Sequence, residues 1–114
     1  MYLGQTVDVV IDRPVGSRHP RHPDIMYPVN YGYVPGTVSG DGMPIDVYLI
    51  DVDGPVERAV GVVVAVVLRA DDVEDKLVAT ANGRAYTADE IARLVRFQEQ
   101  FFDSVIVVAP GATE

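Results

Sequence analysis

Val60–Leu68 reads VGVVVAVVL, nine residues that are all apolar or glycine and mostly β-branched. Such a run is a strand buried on both faces, and it belongs at the centre of a fold. It is far too short to cross a bilayer as a helix. The other elements must wrap around it. Gln5–Asp12 alternates, with Val7, Val9 and Ile11 on one side and Thr6, Asp8, Val10 and Asp12 on the other, which predicts a half-buried strand. Shorter strands are predicted at Tyr31–Val38, Val47–Ile50, Lys76–Ala79 and Ser104–Ala109. Thr87-Ala88-Asp89-Glu90 is a capping box. Ile91, Leu94, Val95, Phe101 and Phe102 follow at helical spacing, so one helix is expected over about 88–102, with its phenylalanines in the core.

The chain of 114 residues is expected to form a single domain, 1–114. Apolar residues make up 48% of it, enough for a packed core. No basic segment precedes an apolar one at the N-terminus, so a cytoplasmic location is the default expectation. Without cysteine there are neither disulfides nor thiolate metal sites. The formal charge of −8 argues against nucleic acid and against an anionic membrane surface as partners. A small anionic substrate remains compatible if a metal supplies the positive field.

Chemistry concentrates in Met26–Leu49. Tyr27-Pro28-Val29-Asn30-Tyr31-Gly32-Tyr33 groups three phenols and an amide, neutral donors suited to phosphate oxygens. Asp41-Gly42-Met43-Pro44-Ile45-Asp46 then sets two carboxylates on a Gly/Pro turn. Paired carboxylates on such a turn suit a hard divalent cation such as Mg2+. A Tyr-rich core strand entering an Asp-Gly turn is the structural alternative for either half.

Together and in this order, the two segments resemble the signature of the soluble family I inorganic pyrophosphatases, Tyr-Pro-x-Asn-Tyr-Gly-Tyr followed by Asp-Gly-Asp-Pro-x-Asp. The middle aspartate of the second motif is replaced by Met43. The resemblance implies a mainly β (α+β) fold, an OB-like closed barrel of five or six strands with one helix in the C-terminal half. It implies Mg2+ as cofactor, in two or more ions with Mn2+ as an alternative, and a symmetric homo-oligomer. Asp41 and Asp46 would belong to the metal cluster, and Asp12 would be the shorter counterpart of a family glutamate, or simply an acidic strand end. In the acidic loop Arg69–Lys76, Asp71 or Asp72 matches the first family aspartate and Asp75 or Glu74 the second. Lys76 matches the phosphate-binding lysine. Tyr27, Tyr31 and Lys76 would hold phosphate oxygens, and Asp46, Lys76 and Tyr31 would take part in catalysis. At the helix end, a family tyrosine and lysine are replaced by Phe101 and Phe102, or by Phe102 and Asp103.

Longer pyrophosphatases carry a substrate-binding hairpin where this chain has Arg13–Pro28, and that hairpin is shortened here. Its four prolines predict an irregular loop. Arg13, Arg18, His19, Arg21 and His22 make it basic within an acidic chain. It can be an anion-binding flap, with Arg18, Arg21, His19 and His22 on substrate, or a solvated loop. His19 and His22 can alternatively ligate metal. Asp51 and Asp53 lack the remainder of a calcium loop and read as a turn.

A thioether cannot accept the proton of an attacking water, and a lost general base costs about 10²–10⁴ in rate. Three functions follow. The first is a Mg2+-dependent hydrolase of diphosphate or a related phosphoanhydride, weakened or shifted in activity. The second is a metal-dependent enzyme of another reaction type, acting on a small organic, carbonyl-bearing substrate. The third is a non-catalytic metal- or phosphate-binding protein.

Overall fold

The computed structural model describes residues 2–40, 42–70 and 75–108. They form six strands and one helix in the order β1 (Thr6–Arg13), β2 (Asn30–Val34), β3 (Ile45–Leu49), β4 (Arg58–Arg69), β5 (Lys76–Thr80), α1 (Ala88–Glu99) and β6 (Ser104–Val108). The sheet runs β1-β2-β3-β5-β4-β6, and a further β1–β4 pairing closes the first five strands into a barrel. β6 lies outside that ring, antiparallel to β4. All pairings are antiparallel except β3–β5. The architecture is the small, mainly β barrel with one helix that the sequence predicts.

β4 is the central strand. Its first half pairs with β1, its middle with β5 and its last part with β6. Burial is deepest from Val63 to Val67, while Val60 and Leu68 face solvent. Strand alternation divides the apolar residues into two cores. Val9, Ile11, Val34, Val47, Leu49, Val63, Val66, Leu77 and Ala79 come from all five ring strands and fill the interior. Tyr27, Tyr31, Tyr48, Val64, Val67 and Val78 turn to the outer wall, where Ile91 and Val95 of α1 cover them.

α1 begins at the expected capping box: Glu90 N–H donates to Thr87 Oγ1 and Thr87 N–H donates to Glu90 Oε1. It stops at Glu99, earlier than predicted. Phe101 and Phe102 therefore lie in the turn beyond it and are not core; Phe101 is 63% exposed. Phe97 is the core aromatic instead, packed edge-on to Tyr27 and Tyr48.

The Arg13–Pro28 segment is less irregular than its prolines suggest. Gly16 N–H donates to Tyr27 O, Tyr27 N–H to Ser17 O, and His19 N–H to Ile25 O, each at 2.9 Å. These bonds fold the loop back on itself. Asn30 is fully buried and fastens this loop to the next: Val15 N–H donates to its Oδ1, and its Nδ2 donates to Val52 O and Gly54 O. Asp51 accepts from the N–H groups of Ala81 and Asn82, so it clamps the turn after β5, a role the sequence did not reveal.

Candidate active site

Asp46 and Lys76 sit side by side, because Val47 pairs with Leu77 on the adjoining parallel strands β3 and β5. Each lies two residues before Tyr48 or Val78 on its strand and so shares their face, projecting to the outer wall rather than into the barrel interior. The Lys76 ammonium donates to the Asp46 carboxylate in an ion pair. Tyr31 approaches from β2, and the end of α1 supplies Gln98 and the two phenylalanines. Arg69 ends β4 on the same wall. The 14–28 loop brings His19, His22, Asp24 and Ile25. Together with Arg13 these residues line a cleft of about 440 Å³.

Arg13 reaches this face through an irregularity in β1. The pairing register with β2 slips between Ile11 and Arg13. Beside the slip, Gly32 lies so close to Val10 that a Cβ would stand 1.8 Å from the Val10 carbonyl oxygen. The Arg13 guanidinium then lies over the Tyr27 and Tyr31 rings, 5.7 and 5.6 Å from their centroids, and donates to Tyr27 Oη at 2.6 Å.

Behind the cleft runs a buried polar chain. Tyr27 Oη donates to Gln98 Oε1 at 2.8 Å, Gln98 Nε2 donates to Tyr48 Oη at 2.7 Å, and Tyr48 Oη donates to Glu99 Oε2 at 2.5 Å. Arg69 donates twice to Glu99, from Nε at 3.1 Å and Nη2 at 2.6 Å, and Ser104 Oγ adds a third donor. Burial disfavours the Glu99 charge, but the bonds from Arg69, Ser104 and Tyr48 outweigh it and hold the carboxyl below its ordinary range. Tyr31 is pushed far above the usual phenol range by burial and by the Asp46 carboxylate. Burial likewise raises Tyr48 and Tyr27. All three phenols are therefore neutral groups able to donate. His19 is lowered by burial and by the charges of Arg13, His22 and Arg21, which keeps its imidazole neutral at pH 7.

The structure brings Asp46, Lys76, Tyr31, His19 and His22 to one cleft. Tyr27 lies just beneath it, fully buried, and reaches it through Arg13. Asp12 is exposed on β1 and its carboxyl is raised, first by desolvation and, against the pull of Arg13, by the nearby Asp46 charge. Other expected residues are not in this cleft. Arg18 donates to Pro23 O at 2.7 Å within its own loop, and Arg21 is exposed beyond the cleft lining. His19 Nδ1 accepts from the N–H groups of Arg21 and His22, which engages that nitrogen in the turn. Asp75 precedes β5 by one residue and, by alternation, faces away from Asp46. It lines a second groove with Ser39 and Gly40. Met43 is 62% exposed, with its carbonyl held by Ser39. Asp41, Asp71, Asp72 and Glu74 lie outside the described residues. Among the described residues, no group of three or more His, Cys, Asp or Glu side chains is placed to hold a metal.

Sequence reasoning missed Arg69, Tyr48, Gln98 and Glu99 as a unit. Arg69 carried a usable signal, since it continues the alternation of Val67 onto the wall that α1 covers. Gln98 and Glu99 gave none, because polar residues near a helix end carry no pattern that marks them as buried.

The molecule is a small closed barrel with a cleft on its outer wall, lined by Arg13, Arg69, Lys76, Tyr31 and Asp46. A family model for inorganic pyrophosphatase matches residues 9–106, and the chain belongs to that family. An inorganic pyrophosphatase from Mesorhizobium japonicum is 37% identical over a 59-residue alignment. That alignment takes in 38% of this chain and only 33% of the relative. Among solved structures, the inorganic pyrophosphatase of Ehrlichia chaffeensis superposes with a TM-score of 0.71 at 18% identity, covering 96% of this chain and 90% of that one. The enzyme from Neisseria gonorrhoeae gives 0.59 at 26% identity, covering 82% and 72%.

Proposed function

We propose that the protein is a Mg2+-dependent hydrolase of inorganic diphosphate or a related phosphoanhydride, with weakened or shifted activity. One observation carries this reading: Arg13, Arg69 and Lys76 converge on a single cleft, beside Asp46, in a chain whose net charge is −8. Lys76 is paired with Asp46 and Arg69 with Glu99, so the positive charge that would draw an anion comes chiefly from Arg13. Lys76 and Arg13 would bind phosphoryl oxygens, and Tyr31 would donate to one from its neutral hydroxyl.

The donor set fits a hard cation in part. Asp12 and Asp46 are near enough for one charge to raise the other carboxyl, and a cation between them would relieve that repulsion. Asp41 and Asp71 would complete the oxygen ligands, and Asp75 would join only by a change of facing. A bound Mg2+ would neutralise phosphoryl charge and activate water. Lys76 orients the Asp46 carboxylate in readiness. With no carboxylate at Met43, proton removal from the water would fall to a weaker base. By resemblance to its family we place the protein in the cytoplasm as a homo-oligomer.

Phosphate release from diphosphate in the presence of Mg2+ tests the reading. Wild type should be active and Asp46→Ala should lose at least about 100-fold, the scale of a lost catalytic group. Met43→Asp, at an exposed turn position, should gain activity within the range of about 10²–10⁴ that a general base contributes. Absence of release from wild type and from Met43→Asp would overturn the proposal.

A further inference from the structure

The cleft is larger than inorganic diphosphate requires, and only part of it is polar. Its volume of about 440 Å³ falls in the range of sites for organic ligands. The cleft is also lined by the apolar Ile25, Phe101 and Phe102 and by the His19 and His22 rings, 5.0 Å apart. Phe101 and Phe102 are exposed aromatics, 63% and 37% accessible. Neither residue is loose. Phe101 N–H donates to Gln98 O and Phe102 N–H to Glu99 O, so the backbone at both is held in one further turn beyond α1. The Arg69 guanidinium lies over the Phe102 ring, 3.7 Å from its centroid, joining the cationic half of the cleft to the aromatic half. A free inorganic anion has no use for these rings, whereas a flat heterocycle would stack on them.

We propose that the preferred ligand of this cleft is a nucleoside diphosphate, its phosphates at Arg13 and Lys76 and its base against Phe101. The proposal rests on the phosphoanhydride reading above and narrows its substrate class. In the corresponding reaction, water attacks the terminal phosphorus and its oxygen becomes part of inorganic phosphate. The bond from that phosphorus to the bridging oxygen breaks, and the bridging oxygen leaves with the electron pair on a nucleoside monophosphate. One proton passes to solvent.

The test uses non-hydrolysable probes with the intact protein and Mg2+, so that binding is read apart from turnover. The α,β-methylene analogue of ADP should bind at least about 10-fold more tightly than methylenediphosphonate, as loss or gain of one stacked base commonly gives. Phe101→Ala should abolish that difference while leaving methylenediphosphonate affinity within about twofold, and Phe101→Tyr should retain it. Phe101 is exposed, so its truncation leaves the fold intact. Equal binding of the two probes to wild type, or a preference that survives in Phe101→Ala, would overturn the inference. A preference that behaves as expected, with neither ADP nor diphosphate hydrolysed, would sustain the ligand assignment and refute the hydrolase reading instead.

Discussion

Glu99 is where one carboxylate decides the shape of the whole cleft wall. It receives Arg69, Tyr48 and Ser104 in a buried setting, and the turn bearing Phe101 and Phe102 starts from its carbonyl. Removing one partner of a buried pair leaves the other charge uncompensated, which costs about 3–5 kcal/mol. Glu99→Gln should therefore lower unfolding free energy by about that amount in urea titration. The pH response has a definite sign. The folded carboxyl sits below its ordinary value of 4.5, so the protein binds fewer protons when folded than when unfolded. The stabilisation is present above pH 4.5 and fades as pH falls below it and through the lower folded value. Acid titration of Glu99→Gln should show a correspondingly shallower loss of stability, and an unchanged acid slope would argue against the ion pair. Asp46 was readable in the sequence as a candidate because a motif marks it, and Lys76 because its acidic loop resembles the family's; both line the cleft. Glu99 was not readable, because its partners come from β3, β4 and β6 and no local pattern links them.

At the scale of elements, the two ends of β1 behave differently. The alternation of Val7, Val9 and Ile11 was legible and fills the barrel interior as expected. The slip after Ile11 was not, since it depends on how closely the second strand approaches. Gly32 permits that approach: a methyl group there would meet the Val10 carbonyl oxygen and the Ile11 Cα, both backbone atoms that cannot turn aside. Gly32→Ala should cost about 3 kcal/mol or more, the upper range for overpacking. It should also displace Arg13 from the cleft. Chemical denaturation gives the first outcome, and loss of methylenediphosphonate binding in the refolded fraction gives the second. The helix shows the same division. Its start was written in Thr87 and Glu90, a contact three residues apart. Its end was misplaced because Phe101 and Phe102 continue the apolar spacing, while Gln98 and Glu99 are drawn inward by polar partners that the spacing does not reveal.

At the scale of the molecule, the nine-residue apolar run located the centre of the fold, and the Tyr-Pro-x-Asn-Tyr-Gly-Tyr segment located one wall of the site. The position of the site on the outside of the barrel required the β3–β5 register, which no single strand encodes. The threefold sharing of β4 then has a consequence for motion. Every other strand of the ring has two neighbours, but β4 takes part in the closure with β1, in the ring with β5 and in the attachment of β6. No local fluctuation frees its middle without opening the cylinder as well. Amide deuterium uptake should accordingly be slowest from Val63 to Val67, at the rate of global opening, and several-fold faster at the paired amides of β6. The wall that carries the cleft is thus hung from a single backbone girder, and β6 can open while that girder stays still.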